Sequence, residues 1–161
     1  MAIPDSIRER IIQEFKYVAQ QLTVANGFNS DCGNNVTRGR MDWEADDRCM
    51  SIFPQPETAS RLATGKDLMI MPMKFDVLEE YEDLFPEFGD EAASVMGERV
   101  IADIREVIRR SYRILLGGLV QDIFYTGGGI QDYPKLSKKT VGVTATFDVT
   151  YVTKLGDPYN Q

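Results

Sequence analysis

Strict alternation between apolar and polar side chains, in the run TVGVTATFDVTYVT of residues 140–153, is the feature that most restricts this fold. A period of two is typical of a β-strand with one buried face. At ~3.3 Å per residue this strand would be roughly 45 Å long, more than the sheet of a small domain usually needs. The sequence therefore predicts a long strand near 139–153 whose end projects beyond its own core.

Two segments carry the periodicity of amphipathic helices instead. The first begins at Ser6 and Glu9, which form a capping-box pattern, and its apolar stripe continues to Asn26 and Gly27, typical stop residues. The second has the same kind of stripe and ends at a Gly-Gly pair. The sequence therefore predicts helices over 6–25 and 90–116, each with one face packed on a sheet.

Further strands are predicted near 49–53, before two prolines, and near 67–77, where Pro72 indicates an edge strand or a bulge. A short strand is possible around Val36, and another over residues 119–125. The glycine-rich stretch that follows, residues 126–139, reads as a loop. Residues 76–91 hold eight acidic side chains and no basic one, which favours an exposed, extended loop through self-repulsion.

These elements predict an α+β fold in one domain of 161 residues. We expect a four- or five-stranded, mostly antiparallel sheet with two amphipathic helices packed on one face, and a carboxyl-terminal tail over residues 154–161. No internal repeat or second apolar core is evident. A chain of this length buries a sufficient core without metals or disulfides.

Composition excludes several classes of function. The chain has no histidine, so Ser-His-Asp and Cys-His sites and zinc sites that need imidazole are excluded. Its net charge of −7 argues against gripping nucleic acid, because affinity for phosphates needs clustered Lys and Arg. Phosphate-loop and dinucleotide patterns are absent. We therefore expect no catalytic residues, no metal and no cofactor, and we interpret Cys32 and Cys49 as reduced thiols.

The amino terminus, MAIPDSIRERIIQEF, shows neither the basic start nor the apolar stretch of a secretory signal. No segment approaches the length of a membrane span. The sequence therefore predicts synthesis in the cytoplasm and no membrane partner.

The order of elements resembles the tail terminator (tail completion) proteins of long-tailed bacteriophages. The resemblance covers nearly the whole chain and is densest in the first helix, SIRERIIQEF, and in the closing strand, Val141 to Tyr151, with Thr153 and the Gly156-Asp157-Pro158 turn after it. The acidic residues 76–91 and the glycine run from Gly127 match no shared motif.

The resemblance implies a structural virion protein of the tail or neck, assembled in the host cytoplasm. Such proteins form a ring, usually of six copies, on the last layer of the tail tube. The ring stops tube polymerisation and joins the tail to the head-side connector. The implied partners are further copies of the chain, the tail tube protein and a connector or neck protein, with DNA only passing through.

A cyclic ring needs two different complementary surfaces on each subunit. The overhanging end of the final strand is one candidate, and we expect the tail to lie against the adjacent subunit. The alternative is a frayed terminus. Candidate interface residues are Arg38, Trp43, Tyr151, Asp157, Pro158 and Tyr159.

The acidic segment has a possible role in this setting, because like charge would keep DNA phosphates from binding the channel wall. Candidate channel-facing residues are Glu79, Glu80, Glu82 and Asp83, with Asp76 and Glu87 as further members. The alternative is an ordinary solvated loop.

Two other functions stay open. One is a different neck or tail role, such as a head-closure or head-tail joining protein. The other is a metal-dependent enzyme that uses paired carboxylates, either Asp46 with Asp47 or Glu79 with Glu80. Nothing near these pairs in sequence supplies a nucleophile or a phosphate cradle.

Overall fold

Six strands form one sheet in the computed structural model, which describes residues 4–39, 48–115, 118–131 and 139–161. Across the sheet the order is β1-β2-β4-β6-β5, with β3 beside β4, and only the β1–β2 pair is parallel. The single-domain α+β fold is confirmed, with six strands instead of four or five. The strands are β1 (Val36–Arg38), β2 (Cys49–Pro54), β3 (Thr58–Leu62), β4 (Lys66–Glu80), β5 (Asp122–Gln131) and β6 (Thr140–Lys154).

Two long helices, α1 (Ile7–Ala19) and α3 (Ala92–Leu115), cover one face of this sheet, as predicted, and a single turn, α2 (Phe85–Phe88), precedes α3. The Ser6 hydroxyl accepts a 3.1 Å hydrogen bond from the Glu9 amide, which is half of the expected capping box. The Glu9 carboxylate does not complete the box, because it pairs with Arg38.

The first helix ends earlier than the predicted residue 25. The Gly33 amide donates to the Leu22 carbonyl (2.9 Å), and Thr23 is already extended, so the helical ladder stops. A Cβ on Gly33 would lie 2.5 Å from that same carbonyl oxygen. Gly33 therefore packs closely against the residues that follow the helix, while Gly27 caps only a short 3-10 turn.

The core lies between the helices and the odd-numbered residues of the two central strands. Met71, Met73, Phe75 and Val77 of β4 are buried there, as are alternate residues of β6 from Val143 to Tyr151. Aromatic rings connect the layers: Phe15 lies 6.0 Å from Phe75, which meets Phe147 edge-on at 5.7 Å. The period-two pattern thus fixes which face of the sheet is buried.

Pro72 lies in the centre of the sheet, so the interpretation of its strand as an edge is wrong. On one side β4 pairs with β6 throughout, but on the other side β2 ends opposite Met73 and β3 begins opposite Ile70. The Pro72 carbonyl accepts from Gln55 across this gap (2.8 Å). Because the N–H and C=O of a strand residue point the same way, the amide that proline lacks would face the gap.

The glycine run is part of a strand, which corrects the predicted loop over residues 126–131; residues 132–138 lie outside the described part. Gly127, Gly128 and Gly129 continue β5 after a bulge between Tyr125 and Gly127. A Cβ on Gly128 would lie 2.5 Å from the Thr144 carbonyl oxygen of β6. Gly128 therefore allows a close approach of the two backbones.

Acidic residues 76–91 are also structured, so the prediction of an extended loop is wrong. Residues 76–80 complete β4, and 3-10 turns at residues 82–84 and 89–91 flank α2. Pro86 occupies the first turn of α2, where its missing amide costs no hydrogen bond. Pairing with β6 and these turns outweigh the self-repulsion of the carboxylates.

Candidate functional site

The carboxyl-terminal tail lies on its own subunit, so the expectation of an overhanging or frayed end is wrong. The Lys154 amide donates to the Asn160 carbonyl (2.8 Å), and the Ile7 amide at the start of α1 donates to the Pro158 carbonyl (2.9 Å). The Gln161 side chain donates to the Leu119 carbonyl (2.7 Å). The tail therefore connects the end of β6 to the start of α1.

Asp157 holds the turn in this tail together. Its carboxylate accepts hydrogen bonds from the Tyr159 amide (2.9 Å) and the Asn160 side chain (2.7 Å). These donors, the Asn160 amide group first, lower the pKa of Asp157 below its ordinary value. Gly156 precedes it with φ at 70°, a conformation that favours glycine. Of the predicted tail residues, Asp157 thus has a structural role, while the Tyr159 ring stays exposed.

A pocket of about 360 Å³ opens where the tail meets β3 and the start of α1. Tyr151, Asp157 and Pro158 all line it, so three of the predicted interface residues lie together. Its polar centre is Glu57, which pairs with Arg8 (2.9 Å) and accepts a hydrogen bond from the Tyr151 hydroxyl.

Tyr151 is only 2 % exposed, so its predicted role as a surface contact is wrong. Its ring occupies the helix-facing side of β6 in phase with Phe147 and Val149, as the alternation requires. Burial first, and the neighbouring Glu57 carboxylate second, raise the pKa of Tyr151 well above its ordinary value. The hydroxyl thus remains a neutral donor to Glu57.

Of the predicted interface residues Arg38 and Trp43, the structure describes only Arg38. Arg38 makes a two-pronged contact with the Glu9 carboxylate of its own chain (2.7 and 2.8 Å), which fastens β1 to α1. Trp43, like Arg40 and the Asp46-Asp47 pair, lies outside the described residues.

Glu79 is 1 % exposed, so it cannot face a channel, and that prediction is wrong. It continues the buried odd-numbered series of β4, and its carboxylate accepts hydrogen bonds from the Ser30 hydroxyl and the Glu80 amide (2.8 Å). Arg48 Nε lies 2.5 Å from Glu79 Oε1 without the alignment of a hydrogen bond, so this contact is a charge interaction. These partners occupy the carboxylate that the enzyme alternative would need for a metal.

Burial raises the pKa of Glu79, although the Ser30 hydroxyl, the Glu80 amide and Arg48 oppose the rise. The same physical balance applies to Asp103 of α3, whose carboxylate accepts from the Asn29 amide (2.7 Å) and the Asn29 side chain (2.8 Å). Burial is the larger effect there too, and it raises the pKa of Asp103. Two buried carboxylates therefore hold residues 29–30 against the core.

Sequence reasoning missed these groups, although a signal for them existed. Glu79 follows Phe75 and Val77 at a spacing of two, and Asp103 lies three residues after Val100 on the buried stripe of α3. Extending each periodicity through its charged residue would have placed both side chains inside. Their partners Ser30 and Arg48 come from irregular chain and carry no such pattern.

The remaining acidic candidates differ in their surroundings. Glu80 is half-buried, and its carboxylate lies 3.7 Å from the Arg48 guanidinium. Glu82 and Asp83 are exposed in the turn before α2 and form no ion pair within the described ranges. Asp76 pairs with Lys74 (2.9 Å) on the sheet face away from the helices. Of the channel-facing candidates, Glu82, Asp83 and Glu87 are therefore exposed and without an ion pair in the described part of the chain.

Strand β5 forms one edge of the sheet, and this edge is open within the described part of the chain. Strand β5 pairs with β6, and no other described strand pairs with its outer side. Its sequence, DIFYTGGGIQ, contains no lysine, arginine or proline, the residues that usually protect an edge from pairing with another chain. Phe124 is 65 % exposed there, and Ile130 is exposed as well. Within the described residues, the bulge after Tyr125 and the Asp122 carboxylate, which accepts from the Ile123 amide (2.9 Å), protect part of this strand.

A second pocket, of about 350 Å³, lies between α3 and this edge strand, and we term it the arginine pocket. Its floor is apolar, and the Arg105 guanidinium stacks 4.7 Å from the centre of the Tyr125 ring. Arg109 stands at its rim and shares the Glu106 carboxylate with Arg110. The lining residues are Arg105, Ile108, Arg109, Ile123, Tyr125 and Phe147.

Within the described ranges no group of three or more Cys, Asp or Glu side chains has the arrangement of a metal site. Both cysteines are buried and form no disulfide with each other, as interpreted from the sequence. Burial raises the pKa of Cys32 far above its ordinary value, so its thiol is held neutral. No helix in the described part of the chain is both long and apolar enough to cross a membrane.

No protein-family model matches this chain, and no curated protein shows significant sequence similarity to it.

Proposed function

We propose that this chain is a structural subunit of a bacteriophage tail terminator ring. In this role several copies, six in the arrangement that the resemblance implies, cap the tail tube, stop its polymerisation and join it to the head-side connector. The subunit is made in the host cytoplasm and remains in the neck of the virion.

The open edge of β5 is the observation that carries this proposal. A ten-residue strand whose outer side pairs with no other described strand, and which carries an exposed Phe124, tends to pair with another chain. Identical subunits close into a ring when this surface meets a different surface of the neighbour. Because the tail is hydrogen-bonded to its own subunit, the proposal takes β5 instead of residues 154–161 as the main interface.

Charge supports the passage of DNA through such a ring. Each chain carries a net charge of −7, so six copies carry −42. In the proposal Glu82 and Asp83, both exposed, lie toward the channel and repel phosphates. In this proposal DNA therefore passes through the ring and is not bound by it.

Electron microscopy of the purified protein tests the proposal directly. The chain is mixed with tubes assembled from the tail tube protein of the same genome and imaged by negative stain. We expect rings seated at one end of each tube and tubes of limited length. Rings that bind the connector but never a tube would favour the head-closure or head-tail joining alternative, and particles that remain monomeric with tubes present would refute both.

A matched pair of variants tests the role of β5. Phe124→Lys places a charge on the open edge, whereas Tyr17→Lys makes the same kind of change at a 55 % exposed ring on α1. We expect Phe124→Lys to abolish rings and Tyr17→Lys to leave them intact. Equal effects of the two substitutions would contradict the assignment of β5.

A further inference from the structure

Residues 85–91, FPEFGDE, form an acidic and aromatic projection between β4 and α3, which we term the acidic projection. Glu87, Asp90 and Glu91 are exposed and have no ion pair in the described part of the chain. Phe85 is 41 % exposed, with Lys139 stacked on its ring at 3.7 Å. Lys139 covers one face of this ring, and the three carboxylates beside it have no ion-pair partner among the described residues.

The arginine pocket has the opposite character. Residues 105–110, REVIRR, present three arginines to one glutamate, and that glutamate is shared by Arg109 and Arg110. Arg105 is exposed and contacts Tyr125 but no described carboxylate. The apolar floor between Ile108 and Phe147 has room for a ring. The pocket thus offers a cavity for an aromatic side chain and positive charge for the acids beside it.

The two surfaces of one subunit cannot meet each other. The projection precedes Ala92 at the start of α3, while Arg105 lies thirteen residues further along the helix. At ~1.5 Å per residue the separation along the axis is ~20 Å. Surfaces that a rigid helix holds apart can contact each other only between molecules.

We propose that the acidic projection of one copy of this chain occupies the arginine pocket of the next copy. Phe85 enters the pocket over Ile108 and Phe147, and the carboxylates of residues 87–91 face Arg105 and Arg109. Charged groups of opposite sign across such a contact fix its register and exclude the like-charged alternative. Where this contact is not reciprocated between the same two copies it is head-to-tail, and such contacts form a ring when the rotation between copies closes.

Two observations favour a second copy over an unrelated partner. The chain itself supplies both members of the pair, in equal number on every subunit. The pocket also includes Ile123 and Tyr125 of β5, so its contact is continuous with the open edge. The inference rests on the self-association part of the proposed function and is independent of the tail tube. It leaves Glu82 and Asp83, which precede the projection, free for the channel.

Charge reversal on each surface separately, followed by mixing, tests this contact. One variant carries Arg105→Glu with Arg109→Glu, and the other carries Glu87→Lys with Asp90→Lys. We expect each variant alone to associate at least tenfold more weakly than the wild-type protein in sedimentation velocity runs. An equimolar mixture should associate again, because the mixed contacts pair opposite charges at both surfaces.

Lys16→Glu is the control, since it reverses a single charge on an exposed residue of α1 outside both surfaces. Circular dichroism shows that every variant is folded. Variants that associate like the wild type, or a mixture that stays as weak as its components, would overturn the inference. A wild-type protein that is monomeric at every concentration would overturn it as well. If the wild type forms rings that follow these expectations but bind no tube, the contact stands and the terminator role fails.

Discussion

The amide of Ile7 donates a 2.9 Å hydrogen bond to the carbonyl of Pro158, so the first residue of α1 is held by the last turn of the chain. Amides at the start of a helix have no partner within the helix. Here the tail supplies one, after crossing from the end of β6. The turn at Asp157 is thus part of the subunit's own architecture, and its loss acts on stability before it acts on assembly.

Truncation after Leu155 tests this role. The free energy of unfolding should fall by about 1–3 kcal/mol, because the Ile7 and Lys154 amides lose their carbonyl partners. Urea unfolding measures the change, and the circular dichroism spectrum at low denaturant should be unchanged. Tyr159→Ala, which retains the backbone bonds, should cost much less. Equal unfolding midpoints for wild-type and truncated proteins would show that these bonds contribute nothing.

Tyr151→Phe removes the hydroxyl that donates to Glu57 while it preserves the buried ring. We expect a loss of about 1–2 kcal/mol in the free energy of unfolding, because hydrogen bonds to charged groups are stronger than neutral ones. Tyr17→Phe is the matched control, since the Tyr17 hydroxyl has no partner in the described chain and the ring is exposed. If both substitutions cost the same, the Glu57 contact is not stabilising.

The free energy of unfolding of the Glu79→Gln variant should increase relative to that of the wild type as pH rises from about 4 to about 7. Burial raises the pKa of Glu79 above its ordinary value of 4.5, so the folded state holds the proton more tightly than the unfolded chain. The contribution of Glu79 to the free energy of unfolding is therefore full at low pH and falls as pH rises through the carboxyl range. Gln cannot titrate, so it lacks this loss.

Thermal unfolding at several pH values measures that difference. Glu82→Gln serves as the control, because its side chain is exposed and makes no described contact. If the melting temperature of the variant falls relative to that of the wild type as pH rises, the ion pair with Arg48 outweighs burial. That result would contradict the raised pKa of Glu79.

Gly128→Ala and Gly129→Ala form a pair of neighbouring substitutions with different expected results. The new Cβ at residue 128 would lie 2.5 Å from the Thr144 carbonyl oxygen, so the strands must separate, at a cost of about 1–3 kcal/mol. A Cβ at residue 129 meets nothing within 4 Å, and that substitution should be neutral or slightly stabilising. Melting temperatures of the two variants decide the matter, and equal values would contradict the close approach of β5 to β6.

The spacing of apolar residues correctly predicted those elements in which burial of one face decides the pattern. Alternation from Val141 to Tyr151 predicted the buried face of β6, and the helical stripe predicted which face of α3 is buried. The same rules implied that Tyr151 and Glu79 lie inside, but their polar groups led us to place them on surfaces. Hydrogen bonding to Glu57 and Ser30 makes those burials possible, and no local pattern encodes a partner from a distant segment.

By itself the sequence determined the α+β class, the two amphipathic helices, the long final strand and the strongly negative charge, because these depend on the order of side chains along the chain. Only the tertiary structure decided that Pro72 faces a gap between two strands, that the glycine run joins an open edge, and that the tail returns to Ile7. Those outcomes depend on which distant backbone groups meet. A one-dimensional pattern specifies the faces of an element, whereas its neighbours are chosen by the packing of the whole chain.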